Sequence, residues 1–345
     1  MDQAITLGVD VAKHVFQVHG VDASGTIVVR RQLKRTDFLS FFRKLGPCLI
    51  GMEACGSAHY WARELSALGH DVRLIAPIAV KPYVKRGKKN DAVDAAAICE
   101  AVGRPHMRFV PIKSAEQQGI LMLHRARDLL VRQRTSQIVA LRGHLAEYGL
   151  IAGQGKGNFA RLRTRLTAEN EAFPPSARFA LRALAEQIDD TDAKITALDK
   201  EILRLHQTGD VNKRLASIPG VGPIIASVVA ATVPDASVFD SGRQFAAWLG
   251  LVPRQNSTGG KERLGHITKT GDRYIRRLLV IGATCLIRFK RQNIPGGLVW
   301  LTNGLAKKPV RLVSVALANK MARIVWAILR YGGTYRAVEP TLQHA

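Results

Sequence analysis

The chain has 345 residues, 51 of them Lys or Arg against 27 Asp or Glu, for a formal charge of +24. That imbalance argues against an ordinary near-neutral enzyme of small molecules and points to a polyanionic partner. Hydrophobic residues at 47% exclude a disordered basic tail, so the charge decorates folded surfaces, and the length suits roughly two domains, or three parts with a helical connector.

Cys48, Cys55, Cys99 and Cys285 form no C-x-x-C pair and read as reduced, structural residues. The opening MDQAITLGVD lacks the basic and apolar regions of a signal peptide, and no run approaches the ~18 consecutive apolar residues of a membrane span. These features predict a cytoplasmic, nucleoid-associated protein with no membrane partner.

Along the chain, Ile5, Leu7, Val9, Val15, Val18, Ile27 and Val29 recur near period two, with a turn at Asp22 to Gly25, which predicts an antiparallel meander. A helix is expected around Thr36 to Leu45, then a buried strand from Cys48 ending at Glu53. Ser57 reads as the N-cap of a helix stopped by Gly69, and DVRLIAP as a further strand. The order of strands and helices predicts a mixed α/β sheet over residues 1–112.

Residues 113–208 hold two long helical stretches, Ser114 to Tyr148 and Ser176 to His206. The second has Leu181, Leu184, Ile188, Ile195, Leu198, Ile202 and Leu205 at helical spacing. A glycine-rich basic link, GQGKGNFARLRTRL, joins them, and the pair reads as an antiparallel coiled-coil-like arm or as bundle core. Residues 209–345 are basic, glycine-punctuated and mostly helical. Trp300 and Trp326, among Leu, Val and Ala, read there as core.

Four acids stand out. Asp10 interrupts the first apolar strand, Glu53 ends the next central strand, and Asp91 and Asp94 open a helix three residues apart, on one face. Each alone reads as well as a cap, a turn former or an ion-pair partner. Together they suit a divalent-metal cage, because a carboxylate in a buried strand is costly unless it is paired or bound to metal. All-oxygen ligands favour magnesium or manganese, and two such ions would clamp the attacking and leaving oxygens of a phosphodiester. The preceding Lys85, Arg86, Lys88 and Lys89 suit a phosphate backbone, or else form a solvated loop.

In the last third, IPGVGP before IIASVVAAT has the form of a helix-hairpin-helix, with Gly220 and Gly222 letting backbone N–H groups approach a phosphate. Ser257 lies in a Gly-flanked loop with Arg254, Lys261, Arg263, His266 and Lys269 nearby. Lys269, Arg273, Arg276 and Arg277 then recur at helical spacing. No His-Asp partner for Ser257 is readable. Its alternative is a plain turn residue.

GVDVAK, GMEACGSAHYWARELSALGHDVRLIAP and KNDAVDAAAI resemble the N-terminal domain of the DEDD-type insertion-sequence transposases, whose fold is like that of the RuvC Holliday-junction resolvases. LASIPGVGPIIASVVAATV, FDSGRQFAAWLGLVPRQNSTGGKERLGHITKTGDRYIRRLLV and ALANKMARIVWAIL resemble their C-terminal domain, in the same order. The resemblance implies an RNase H/RuvC-like domain, a helical arm and a helical domain carrying a catalytic serine. It implies Asp10, Glu53, Asp91 and Asp94 as metal and catalytic residues and Ser257 as the nucleophile, although Thr258 adjoins it and Ser241 lies upstream. It also implies donor and target DNA as substrates and a bridge RNA that selects them by base pairing. A homo-oligomer is expected, because exchange cuts several strands in concert. Two other readings fit parts of the pattern: a junction-resolvase-like nuclease using water, and a non-catalytic architectural protein.

Overall fold

Alternation of apolar residues builds the first sheet. β1 (Thr6–Val11), β2 (Val15–Val21) and β3 (Ile27–Lys34) form the expected antiparallel meander, with Asp22 closing the first turn of its second hairpin through bonds from the Ser24 and Thr26 amides. After the short helix α1 (Phe38–Phe42), β4 (Leu49–Glu53) returns beside β1 in parallel. Helix α2 (Ala58–Ala67) leads to β5 (Asp71–Ile75), parallel to β4, and β6 (Phe109–Val110) closes the edge. The order β3-β2-β1-β4-β5-β6 is the mixed sheet that the alternation of strands and helices predicts.

The computed structural model describes residues 5–84, 90–168, 172–289 and 299–336, apart from the side chains of residues 156 and 299. It divides into two compact units, Met1–Gln118 with Ala231–Asp240, and Gly119–Ala230 with Ser241–Ala345.

In the first unit the two sheet faces are built differently. Leu7, Val9, Phe16, Ile50 and Met52 join a core completed by Phe38, Phe42, Trp61 and Leu65 from α1 and α2. Phe16 and Phe38 meet edge to face at 4.7 Å, and Arg35 lies 4.9 Å from the Trp61 ring. The opposite face of β1 and β4 carries Gly8 and Gly51, and on it rests α4 (Asp91–Val102). α4 follows α3 (Pro77–Val80) and a single 3-10 turn over Lys81–Tyr83. A Cβ on Gly8 would overlap the Ala95 carbonyl and the Cys99 amide, and one on Gly51 would overlap the Val102 side chain. Gly8 thus lets the helix backbone lie directly on β1, and Gly51 leaves room on β4 for the helix side chains. Ser57 differs from expectation. It adopts φ 66°, in the left-handed region, and makes no capping bond, because a capping side chain needs extended backbone at that position.

In the second unit, α5 (Ala115–Ala146) and α7 (Pro175–Thr208) run antiparallel. Arg127 pairs with Asp199, Arg134 with Asp192, and Leu141 and Leu145 pack with Leu181 and Ile188, so partners on one helix advance as those on the other recede. The intervening basic link contains a helix of its own, α6 (Lys156–Ala168), whose Leu162 and Leu166 enter the same core. The glycines that opened the link hide this short amphipathic helix from a reading by composition.

α8 (Asp210–Ala216), α9 (Pro223–Thr232) and α10 (Gly242–Trp248) precede a two-stranded hairpin of β7 (Pro253–Gln255) and β8 (Leu264–Ile267). Then come α11 (Arg273–Phe289), α12 (Val299–Lys307) and α13 (Val310–Tyr331). Buried His124 on α5 is 2.9 Å from the Ser227 hydroxyl of α9 and 3.4 Å from the Tyr274 hydroxyl of α11. Burial, aided by the Arg127 charge, pushes its imidazole down to about 4 and keeps it neutral. α13 is long and apolar enough to cross a membrane, yet Val313, Leu317, Met321, Val325 and Ile328 form one buried stripe. Trp300 and Trp326, expected in the core, are only half-buried, because that stripe fills it without them.

Gly8→Ala should therefore destabilise the chain by about 3 kcal/mol or more, since backbone atoms stand where the methyl would go. Gly119→Ala, with open space around it inside α5, should be neutral or stabilising by up to ~1 kcal/mol. Urea unfolding of both variants checks the pair.

Candidate functional site

Strand register places the first two acids. β1 and β4 run parallel with Gly8 opposite Gly51 and Val9 opposite Met52, so Asp10 and Glu53 are the next positions on neighbouring central strands. Both stand at C-terminal strand ends, where open α/β sheets place their ligand sites. Each lies two residues beyond a glycine that contacts α4 and so shares that helix's face of the sheet.

The helix supplies the other two. Asn90, in extended backbone at φ −149°, caps α4 by accepting a hydrogen bond from the Val93 amide at 2.8 Å. Asp91 is thus relieved of capping. With the helix axis held against Gly8 at Ala95 and Cys99, its first turn comes to Asp10. Carboxylate oxygens of Asp10, Asp91 and Asp94 all lie within 4.8 Å of one another. Asp10 and Asp94 are half-buried and Asp91 is exposed, which leaves the cluster open to solvent on one side.

Electrostatics register the crowding. Burial first, then the charges of Asp91, Asp94 and Glu53, push the Asp10 carboxyl up to about 6, and the Val11 backbone hydrogen bond only partly opposes this. Burial together with Glu53 and Asp10 also raises the Cys55 thiol, which borders the cluster and stays protonated. Asp10, Asp91 and Asp94 gathered together, with the Glu53 charge also acting on Asp10 and no cation among the described residues causing its shift, fit a divalent ion held by oxygen ligands.

Ser257 is presented by the β7–β8 hairpin of the second unit. Thr258 bridges to Lys261 across a turn in which Gly259 and Gly260 have φ of 54° and 78°, a turn that side-chain-bearing residues disfavour. Val252 accepts the Thr268 amide at 2.9 Å and Gly250 accepts the Lys269 amide at 3.1 Å, so the hairpin is rooted at its base while Ser257 is exposed near its tip. Among the described residues its hydroxyl makes no hydrogen bond. Ser241 is used differently, accepting the Gln244 amide as the cap of α10.

The remaining expected contacts with nucleic acid fall into four groups. Arg254, Lys261, Lys269 and Arg273 are exposed. Arg276 donates to the Leu249 and Thr270 carbonyls at 2.9 and 2.6 Å, and Arg277 pairs with Asp128 beside the Tyr274 ring, so both also brace the unit. Gly220 has φ 86° and backs onto the Gly282 carbonyl, whereas Gly222 faces open space. Lys85, Arg86, Lys88 and Lys89 lie outside the described residues. Asn90 and the Gly8/Gly51 pair escaped the sequence reading, although the shared Gly-x-acid pattern of GVD and GME was there to find.

Residues 7–150 match the family model of the DEDD transposases of IS110, and residues 212–295 match the model described as transposase IS116/IS110/IS902 family. A probable family 20 transposase of Pseudomonas aeruginosa is 53% identical over 96% of this chain and 98% of its own length. The transposase for insertion sequence element IS1111A of Coxiella burnetii is 40% identical, over 96% of this chain and 91% of its own. That for IS1328 of Yersinia enterocolitica is 36% identical, over 97% and 99%.

The raised Asp10 carboxyl fixes a pH signature. The unfolded chain ionises near 3.8 and the folded one near 6, so stability is lost as pH rises between those values and the loss is complete above them. Discounted for solvent screening, this is about 1 kcal/mol, or roughly 2–4 °C. In metal-free buffer Asp10→Asn should melt higher than the parent by that margin at pH 7.5, with the gap closing toward pH 4. A gap independent of pH would contradict the repulsion.

Proposed function

Because the chain belongs to the IS116/IS110/IS902 family of transposases, we propose that it cuts and rejoins DNA strands with a divalent-metal acidic site and a serine nucleophile, under the direction of a guide RNA. The observation that carries the acidic half is the gathering of Asp10, Asp91 and Asp94 within 4.8 Å, beside Glu53. These residues would hold magnesium or manganese, which supplies charge stabilisation for a phosphoryl group under attack. The carboxylates meanwhile fix the site's position at the ends of β1 and β4, and the half-buried Asp10 binds best when deprotonated.

The serine half is supported by the exposure of Ser257 on a rooted hairpin with Arg254 and Lys261 exposed around it. In this reading its Oγ forms a new bond to phosphorus, the bond to the leaving strand oxygen breaks, and the hydroxyl proton passes out to solvent or to that oxygen. The phosphoserine diester conserves the bond for rejoining without a nucleotide cofactor. Arg254, Lys261, Lys269 and Arg273, with Gly222 and the α8–α9 loop read as a helix-hairpin-helix, hold strand backbones without reading bases. Such a surface suits a protein that delegates sequence choice to base pairing. The antiparallel α5–α7 pair is proposed as the oligomer contact, and association with the nucleoid follows from the charge.

Ser257→Ala should abolish strand cleavage and the covalent protein–DNA adduct on a donor–target substrate, while DNA binding stays within about threefold. Asp10→Asn should abolish cleavage as well. Cleavage retained by Ser257→Ala, with no adduct in the parent, would assign the attack to water.

A further inference from the structure

The second unit contains a cleft that neither the acidic site nor the serine hairpin uses. It lies among α10, α12 and α13, encloses about 820 Å³, and is walled by Arg243, Trp300, Asn319, Lys320, Arg323 and Trp326. α12 and α13 fall beyond residues 212–295, the stretch that matches the C-terminal family model. On α13 the lining residues Asn319, Lys320, Arg323 and Trp326 follow helical spacing on the side opposite the buried stripe of Leu317, Met321, Val325 and Ile328. One side of the wall is thus a polar and aromatic face of a core helix, on which Asn319 also donates to the Leu251 carbonyl.

Its chemistry is one-sided. Three cations converge and none of the lining residues is a carboxylate. Low-dielectric walls around like charges focus a field that attracts anions. Lys320 reaches the Trp300 ring with its ammonium 4.9 Å from the centroid. Burial and the Arg323 charge both hold its pKa below the usual lysine range, as expected for a cation short of a counter-charge. The Trp300 indole N–H is buried and has no acceptor among the described residues, so an internal hydrogen bond is not what holds this ring at the wall.

Aromatic faces together with uncompensated cations are the combination that binds unpaired nucleotides, the ring taking the base and the cations the phosphate. The volume falls in the range of small-ligand pockets and suits one nucleotide, not a double helix. We propose that this cleft is a binding site for an unpaired nucleotide of a DNA or RNA strand, with Trp300 and Trp326 against the base and Arg243, Lys320 and Arg323 around the phosphate. The assignment rests on the reading that the chain acts on nucleic acid, and it is independent of which group cuts.

The test uses the full chain in EDTA, where metal-dependent cutting is silent, with fluorescent 12-mers of dT and of rU and a duplex hairpin of equal charge. Trp300→Leu should weaken single-strand binding about tenfold, and Trp300→Phe should restore most of it. Lys320→Ala with Arg323→Ala should weaken it similarly and flatten its salt dependence, with duplex binding changed less than twofold. The tighter of the dT and rU arms identifies the strand, and unchanged melting temperatures exclude misfolding. Equal losses on single strands and duplex, no loss in any variant, or no single-strand binding by the parent would overturn the proposal. A failure of Ser257→Ala to stop cleavage would leave this result untouched.

Discussion

The close seating of α4 on the sheet is the constraint from which the catalytic proposal follows. At Gly8 the helix backbone rests where a Cβ atom would stand, and at Gly51 the Val102 and Ile98 side chains of the helix fill that place. At ordinary helix-to-sheet spacing, side chains from both layers would separate the first turn of α4 from the strand ends. With the spacing closed, Asp91 and Asp94 reach Asp10, and the parallel register brings Glu53 alongside. Packing thus opposes electrostatics: apolar contacts of Ala97, Ile98, Ala101 and Val102 secure the helix, and its N-terminus is held among like charges.

That opposition is the physical basis for proposing a metal site here. A chain with formal charge +24 has cations in excess, yet Asp10, Asp91 and Asp94 gather within 4.8 Å and the Glu53 charge acts on Asp10 as well. Folding tolerates their repulsion because the N-terminal end of the helix dipole favours Asp91 and Asp94, and because the Asp10 carboxyl retains its proton well above the ordinary range. A divalent ion would relieve the rest. In the second unit the charge is distributed differently, with exposed cations along the hairpin and the first turn of α11, and a separate group in the aromatic cleft. Other arginines, such as Arg127, Arg134 and Arg276, are spent on internal bonds, so the net charge alone overstates the surface that meets nucleic acid.

Much of the architecture was legible because it is periodic. Near-alternating Leu7, Val9, Val15 and Val18 gave the strands, although the core face of the second carries Phe16 and Val18 and leaves Val15 half-buried, and leucines and isoleucines at helical spacing gave α7. The acids were legible because Asp10 broke an apolar strand, Glu53 ended the next central strand, and Asp91 and Asp94 opened a helix three residues apart on one face. What stayed hidden depends on tertiary neighbours. Ser57 looks like a cap, yet its backbone turns left-handed there, while Asn90 supplies the capping bond of α4. α6 hid inside a segment whose glycines suggested a link. Trp300 and Trp326 look like core by composition. Only the phase of α13 shows that its other side fills the interior and leaves them at a cleft wall.

The most direct measurement is a Mn²⁺ titration of the full chain followed by electron paramagnetic resonance, comparing the parent with Asp94→Asn. Manganese should be taken up at the acidic cluster by the parent, with the free-ion signal suppressed until that site fills, and this uptake should be lost or weakened at least tenfold in the variant. Uptake that is equal in both proteins, or absent from the parent, would contradict the claim that the seating of α4 assembles a metal site.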